Sequence, residues 1–388
     1  MLRRPVTGAG WVRRWLRLVS GTVLALASAA MLLLTGYAWT LSRQLDASLT
    51  TSAVLDHPRA NPARPRLPAV PDAMNVLLVG LDSRTDAQGN PLPPPVLAAL
   101  HAGGDDGELN ADTLILVHLA TAPRQPPVAV SIPRDSYVTV PGFGPHKINS
   151  ALQRAMLAAK STLIAQGLSG AGLDRLAQQA GRQKLVQTVE QLTGVTLDHY
   201  VEINLAGFYE ITQAVGGVPV CLAAPTHDSY TGADFAAGPQ TVSGAAALAF
   251  VRQRHGLPRG DLDRIQRQQA YLSGLAHQLL SAHLLTDPAA VAALRQAITR
   301  YVVIDPGWDL AGLLDQAASL QAAAIQFRTI PTGRIDLPTP DGQAVQVDPE
   351  QVHQFIAQLI NRTDRLPQPP STTAPAVAPL ASSFPCVS

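Results

Sequence analysis

The chain has 388 residues, 46% of them apolar and 15% charged, with a formal net charge of +1; that is room for one large domain or two ordinary ones with a substantial core. The charge is unevenly placed. Residues 1–42 hold Arg3, Arg4, Arg13, Arg14 and Arg17 and no acid, which leaves 24 basic residues against 28 acidic ones in the remainder. A folded part with that balance lacks the basic excess of a nucleic-acid binder, so no nucleic-acid partner is expected.

In chain order, residues 1–17 read as a short cytoplasmic tail, and 18–42 as a transmembrane helix. No charge falls between Leu18 and Ser42, and about 20 apolar residues span a bilayer. The arginines before it place the N-terminus in the cytoplasm. A cleaved signal peptide is the alternative, but the run is long for one and Ala-Ser-Ala-Ala lies inside it. Everything beyond Arg43 is then extracytoplasmic. Residues 43–73, with Pro58, Pro62, Pro65, Pro68 and Pro71, read as a semi-rigid spacer.

Residues 74–362 read as the main domain. Buried strands are expected at Asn75–Gly80, Asp112–Leu119 and Val128–Ile132, and another strand at Ser136–Val140. The first delivers Asp82 and Arg84, the second opens on Asp112, and the third ends in Arg134-Asp135, next to a turn that leads to Lys147. Helices are expected at Ala151–Ala165, Leu173–Leu192 (stopped by Gly194), Phe208–Ala214, Ser243–Val251, Asp263–Leu285, Pro288–Arg300, Asp309–Ala323 and Pro349–Ile360. Further strands are expected at Asp198–Leu205 and Val218–Leu222, and edge strands at Ile325–Ile330 and Gln343–Val347. Alternating strands and helices imply an α/β sandwich. Residues 363–388 form a Pro/Ser-rich tail without regular structure. Cys221 and Cys386 are the two cysteines; they are either free buried thiols or, outside the cytoplasm, one disulfide.

The densest chemistry lies in Arg252–Gln268, where five arginines fall in seventeen residues. Asp261 sits where a helix N-cap belongs. Arg264, Arg267 and Gln268 then share a helix face by spacing, and Arg252 and Arg254 join them if their strip is extended. A fork of guanidinium groups suits a phosphate or pyrophosphate; a solvated helix with surface arginines is the plainer reading. Asp82 and Asp112 add carboxylates for magnesium, which takes one or two of them plus substrate phosphates. No Gly-rich phosphate loop, Gly-x-Ser-x-Gly elbow or His-Glu-x-x-His is present.

These strings together closely resemble the LytR–CpsA–Psr family of bacterial cell-wall ligases. The matching segments are Asn75–Arg84, Asp112–Leu119, Ser131–Asp135, Lys147–Asn149, Leu192–Asn204, Gly216–Val220 and Arg252–Gln268. The resemblance implies an α/β/α-type sandwich with a central mixed sheet and a hydrophobic lipid-binding groove. It implies a membrane-anchored phosphotransferase that joins undecaprenyl-pyrophosphate-linked glycopolymers to peptidoglycan and releases undecaprenyl phosphate. Asp82 and Asp112 resemble the family's magnesium ligands, with manganese as the alternative ion. Arg134, Arg252 and Arg254 resemble the catalytic pyrophosphate clamp; Arg84, Lys147, Arg264 and Gln268 complete the substrate-binding set, with Asp261 behind it. Asn110 stands where the family often has Arg, so that cation is either missing or replaced by Arg84. The helices after Ala151 and after Asp263 are expected to line the groove. A similar terminal Cys-Val in actinobacterial relatives points to a Cys221–Cys386 disulfide. Two other functions fit the same residues: a polyprenyl-pyrophosphate pyrophosphatase, and a non-catalytic lipid-binding or regulatory envelope protein.

Overall fold

The computed structural model describes residues 49–55, 73–100, 109–120, 126–279, 281, 284, 287–308, 325–363 and 386–388. The expected membrane helix, most of the spacer, the helix at 309–323 and residues 364–385 lie outside them. No helix among the described residues is long and apolar enough to cross a membrane.

The elements run β1 (Thr50–Thr51), β2 (Ala73–Asp82), α1 (Pro94–Ala99), β3 (Asn110–Ala120), β4 (Val128–Ile132), β5 (Ser136–Val140), β6 (Gly144–Lys147), α2 (Ala151–Ala165) and α3 (Gly170–Thr193). Then follow β7 (His199–Asn204), α4 (Leu205–Ala214), β8 (Val218–Leu222), β9 (Thr226–Asp228), β10 (Ala233–Phe235), β11 (Gly238–Val242), α5 (Gly244–Arg252) and α6 (Asp261–Leu279). The last are α7 (Pro288–Tyr301), β12 (Val302–Ile304), β13 (Gln326–Thr329), β14 (Leu337–Thr339), β15 (Gly342–Gln346) and α8 (Pro349–Thr363). A seven-stranded sheet has the order β1-β12-β7-β2-β3-β4-β13. It is mixed: β7 runs parallel to β2, whereas β3 is antiparallel to both β2 and β4.

Two placements differ from the sequence reading. Thr50 and Thr51 pair with Val303 and Ile304, so residues assigned to the spacer close one edge of the sheet. Two residues are too few for a period-2 pattern to show. The strand at 342–346 is not an edge: it lies between β14 and β5 in a separate four-stranded sheet.

Strand alternation gives the sheet two unlike faces. Leu77, Val79, Leu81, Leu114, Leu116, Val128 and Val130 form one core with Leu152 of α2, Leu185 and Val189 of α3, and Val352 and Ile356 of α8. On the other face α6 rests through polar contacts: Gln268 Nε2 donates to Thr113 Oγ1 (3.2 Å), and Gln269 Nε2 to Ser131 Oγ (3.0 Å). Behind α6 a second core gathers α4, α5, β8 and β10 around Phe250 and Tyr271. Helices therefore cover both faces of a mixed sheet, the three-layer α/β arrangement that the sequence predicts.

The last described residues are stitched to this second core. Cys386 is disulfide-bonded to Cys221 of β8. Val387 exchanges backbone hydrogen bonds with the same strand: its N–H donates to Cys221 O (2.9 Å) and its carbonyl accepts from Ala223 N (2.8 Å). Removing a bond that closes so long a loop costs about 2–5 kcal/mol. Cys386→Ser is therefore expected to lower the free energy of denaturant unfolding by that amount, and the unreduced, denatured wild type is expected to show no reactive thiol. Two labelled thiols per chain, or an unchanged unfolding midpoint, would contradict the bridge.

Candidate functional site

The site is built at the end of β2 and β3, and a β-bulge makes it. Gly80 pairs with Thr113, but Leu81 pairs with Ala111, so Asp112 is the extra residue on β3. Ala111 consequently faces the same core as Leu114 and Leu116, although strict alternation would have sent it to the other side. Asp112 is left on the face of Thr113, Gly80 and Asp82, toward α6. Bulges of this kind re-aim a side chain. Close approach is also required: a Cβ on Gly80 would lie 3.0 Å from Thr113 Cβ.

Around these two carboxylates, acids and cations alternate. Arg84 Nη1 lies 3.3 Å from Asp82 Oδ1. Arg134 Nη1 donates to Asp112 Oδ2 at 2.8 Å, and its Nε lies 3.7 Å from Asp135 and 3.8 Å from Asp261. Asp135 also holds Lys147 (3.3 Å) and Arg254 (3.7 Å). Asp261 pairs with Arg264 at 2.6 Å, and Arg264 Nη2 reaches the Asp112 carbonyl. Arg252 donates to Leu100 O at 3.3 Å and makes no ion pair among the described residues. The structure thus links Asp82 to Arg84, and Asp112, Arg134, Lys147, Arg254, Asp261 and Arg264 to one another, by ion pairs and hydrogen bonds; Arg252 acts on Asp82 through its charge, and Gln268 reaches Thr113 beside Asp112. Six cations (Arg84, Arg134, Lys147, Arg252, Arg254, Arg264) face four carboxylates (Asp82, Asp112, Asp135, Asp261), so the cluster is positive by two.

Electrostatics follow the packing. Burial pushes the Asp82 carboxyl above its ordinary value; Arg84 opposes this and Asp112 adds to it. Burial also pulls Arg264 down to about 10, against the pull of Asp261. Burial alone would lower Arg134, but Asp112, Asp135 and Asp261 outweigh it and raise it. Asp82 Oδ1 and Asp112 Oδ1 are buried and accept no hydrogen bond. Two neighbouring carboxylates in that condition suit a hard divalent cation with oxygen ligands. Among the described residues no group of three or more His, Cys, Asp or Glu converges on a metal position.

Three sequence expectations need correction. Asp261 lies in the first turn of α6 and accepts no capping hydrogen bond; its carboxylate turns to Arg264 and Arg134 instead. Arg267 does not share a face with Gln268, because adjacent helical positions diverge by about 100°. Arg267 is 1% exposed: Nε donates to Ser388 O (2.6 Å), Nη1 donates to Gln253 Oε1, and the guanidinium lies 5.3 Å from the Phe250 ring centroid. The solvated-helix reading therefore fails for Arg264 and Arg267 alike. The third correction concerns the groove. Helices α2 and α3 pack on the face opposite Asp82, since Leu152, Leu185 and Val189 join Leu77 and Val79, so of the expected groove walls α6 alone flanks the site's face among the described residues. Two cavities, about 20 and about 290 Å³, lie elsewhere, and no clamp residue lines either.

Two contributors were missed. Asp135 is the common partner of Lys147, Arg134 and Arg254; its place beside Arg134 was the available signal. Gln253, fully buried between Arg252 and Arg254, donates to Thr226 Oγ1 (2.6 Å) and His255 O (3.1 Å) and accepts from Arg267. It ties the arginine loop to β9 and, through Arg267, to the disulfide-bonded terminus. Gly260, at φ +54°, makes the turn into α6.

Such a cluster at strand ends of a three-layer α/β fold has the excess of planar donors that suits a multiply charged oxyanion. Residues 44–361 match the LytR_cpsA_psr family, and the chain belongs to it. The chain is 43% identical over 302 residues to "Cell wall biosynthesis protein LcpA" of Corynebacterium glutamicum, covering 77% of this chain and 58% of the relative. It is 38% identical over 214 residues to "Probable cell wall biosynthesis protein LcpB" of the same organism, covering 55% of this chain and 44% of that one. The chain thus spans about half the length of these relatives. Among solved structures, "LytR-Csp2A-Psr enzyme from Actinomyces oris" superposes with a TM-score of 0.53 at 18% identity, over 80% of this chain and 94% of that one. "TagT bound to LI-WTA" does so with 0.52 at 20% identity, over 78% and 95%. These likenesses establish the fold.

The buried Asp261–Arg264 pair gives a stability test. Breaking a buried pair from one side leaves an uncompensated charge and costs about 3–5 kcal/mol. Asp261→Asn is expected to lose that much in urea unfolding, and the Asp261→Asn/Arg264→Met double variant to recover part of it. A double-variant loss equal to the sum of the Asp261→Asn and Arg264→Met single losses would show that the pair is not coupled.

Proposed function

We propose that this chain is a membrane-anchored phosphotransferase that moves a glycopolymer from a polyprenyl pyrophosphate carrier to peptidoglycan and releases the polyprenyl phosphate. The observation that carries the reading is the positive excess around Asp82 and Asp112 at the sheet's end. A pyrophosphate diester is an anion with several oxygens, which bidentate guanidinium groups match. In the reaction an acceptor hydroxyl oxygen bonds to the glycan-bearing phosphorus as the bond to the lipid phosphate breaks, and the hydroxyl proton is released to solvent. The departing lipid phosphate gains negative charge. Arg252, Arg254 and Arg134 are the groups that would stabilise it, and positioning plus such stabilisation supplies most of phosphoryl-transfer catalysis. Asp82 and Asp112 would hold magnesium, or manganese in its place, which when bound neutralises phosphate charge. Lys147, Arg84 and Arg264 set the surrounding field, and Gln268 braces α6 against β3.

The sheet supplies support for a lipid carrier. On the α6 face, Gly80/Thr113 is followed along β2 and β3 by Leu78/Ile115 and Val76/Val117, with Ala129 of β4 beside Val117. This apolar lane starts at the carboxylates and runs down the strands at about 3.4 Å per residue. Names of relatives point the same way: "Polyisoprenyl-teichoic acid--peptidoglycan teichoic acid transferase TagU" of Oceanobacillus iheyensis is 31% identical over 221 residues. With the sequence's charge-free run at residues 18–42, the reading places the domain outside the membrane, N-terminus inside.

The test uses the full chain in detergent with a lipid-linked pyrophosphoryl glycan and magnesium, with and without peptidoglycan. Glycan transferred to the wall is the expected result. Lipid phosphate released without transfer would make the protein a pyrophosphatase, and binding without turnover a lipid-binding scaffold. Arg254→Ala is expected to lower transfer about 100- to 1000-fold with little change in melting temperature, since its side chain is 44% exposed. Arg254→Lys is expected to recover little, because a point charge lacks the fork.

A further inference from the structure

One pair of rings beside the clamp remains without a role. His255 follows Arg254 directly. Its imidazole stacks on Tyr230, with ring centroids 4.4 Å apart and planes inclined by 29°. Tyr230, at 76%, is the most exposed large apolar side chain among the described residues. Single exposed aromatics need no explanation, but this pair is constructed. Asp228, 3% exposed, accepts from Tyr230 N (3.0 Å) and from Thr231 Oγ1 (3.0 Å), and lies 3.7 Å from His255 Nδ1. Gln253 holds the other side through Thr226 Oγ1 and His255 O. Phe235 of β10 packs edge-on against Phe250 of α5, 5.8 Å apart, which docks the hairpin on the helix that ends in Arg252. One buried carboxylate and one buried amide thus fix two solvent-facing rings next to the arginines.

We propose that Tyr230 and His255 form a sugar platform, and that its ligand is the first pyranose of the donor glycan. The inference rests on the pyrophosphate reading above. A pyranose has a face of C–H bonds carrying partial positive charge, and an aromatic ring presents the negative face of its quadrupole to such groups. The donor is favoured over the acceptor because its first sugar is bonded directly to the pyrophosphate. Whatever recognises that sugar must adjoin the clamp, and His255 is the next residue after Arg254. The tyrosine hydroxyl and His255 Nε2 are left at the rim for the sugar's hydroxyl groups, Nδ1 being turned to Asp228.

The test is calorimetric binding to the full chain in detergent, with magnesium, of two probes: geranyl pyrophosphate and geranyl-pyrophosphoryl-N-acetylglucosamine. Wild type is expected to bind the sugar-bearing probe more tightly. Tyr230→Ala is expected to weaken that probe about tenfold and to leave geranyl pyrophosphate unchanged; Tyr230→Phe keeps the ring and should keep the preference. Equal wild-type affinity for the two probes would overturn the platform while leaving the pyrophosphate reading intact. Parallel loss of both probes in Tyr230→Ala would overturn it too, making the hairpin a support for the clamp. Failure of wild type to bind either probe would remove the pyrophosphate reading and the platform with it.

Discussion

The structure depends on mutual neutralisation between carboxylates and guanidinium groups at one end of the sheet. Charged side chains are expensive to bury unless paired, and this site buries Arg264 at 3% and Arg84 at 9% exposure. Each cost is offset locally: Asp261 against Arg264, Asp82 against Arg84, Asp112 against Arg134. The pairing is incomplete by design of the sequence, because cations outnumber acids. The surplus sits on Arg252 and on the half-exposed Arg254, where a ligand can arrive. The same acids that make the arginines tolerable also fix their positions, so the guanidinium groups are held in place by the protein itself, as the proposed clamp requires.

That arrangement rests on backbone features remote from any charge. The bulge at Asp112 decides which face of the sheet the second carboxylate joins. The buried chain Ser388–Arg267–Gln253 decides where the loop between Arg252 and Arg254 lies. Arg267 is itself a buried cation, brought down to about 10 by burial with Asp263 opposing, and it is held by Ser388 O, Gln253 Oε1 and the Phe250 ring. A disulfide that ties residues 386–388 to β8 therefore reaches the arginine loop through two hydrogen bonds.

Much of this was legible in the sequence. Short apolar runs ending in Asp or Arg-Asp marked the strands and their charged ends, and the clustered arginines marked the cations that gather there. The roles of individual residues came from the family resemblance. The face shared by Asp82 and Asp112 was not legible, since simple alternation sends residue 112 to the opposite side and no local pattern announces the bulge. Arg267 was misgrouped because helical spacing says which residues are near one another and not which partner, Gln253 or Ser388, lies beyond. The strand at Thr50–Thr51 exists only through its partner β12. The placement of α2 and α3 depended on which side of the sheet the chain crosses, a tertiary choice that their amphipathic pattern leaves open.

The central claim is that Asp82 and Asp112 act as one cation-holding unit for a pyrophosphate. It is tested most directly by magnesium titrations of geranyl pyrophosphate binding to wild type, Asp82→Asn, Asp112→Asn and the double variant. Residues that share one ion give non-additive losses. The account predicts magnesium-dependent binding in wild type, loss of that dependence in either single variant, and no further loss in the double. Magnesium-independent binding in wild type, or losses that simply add, would contradict it.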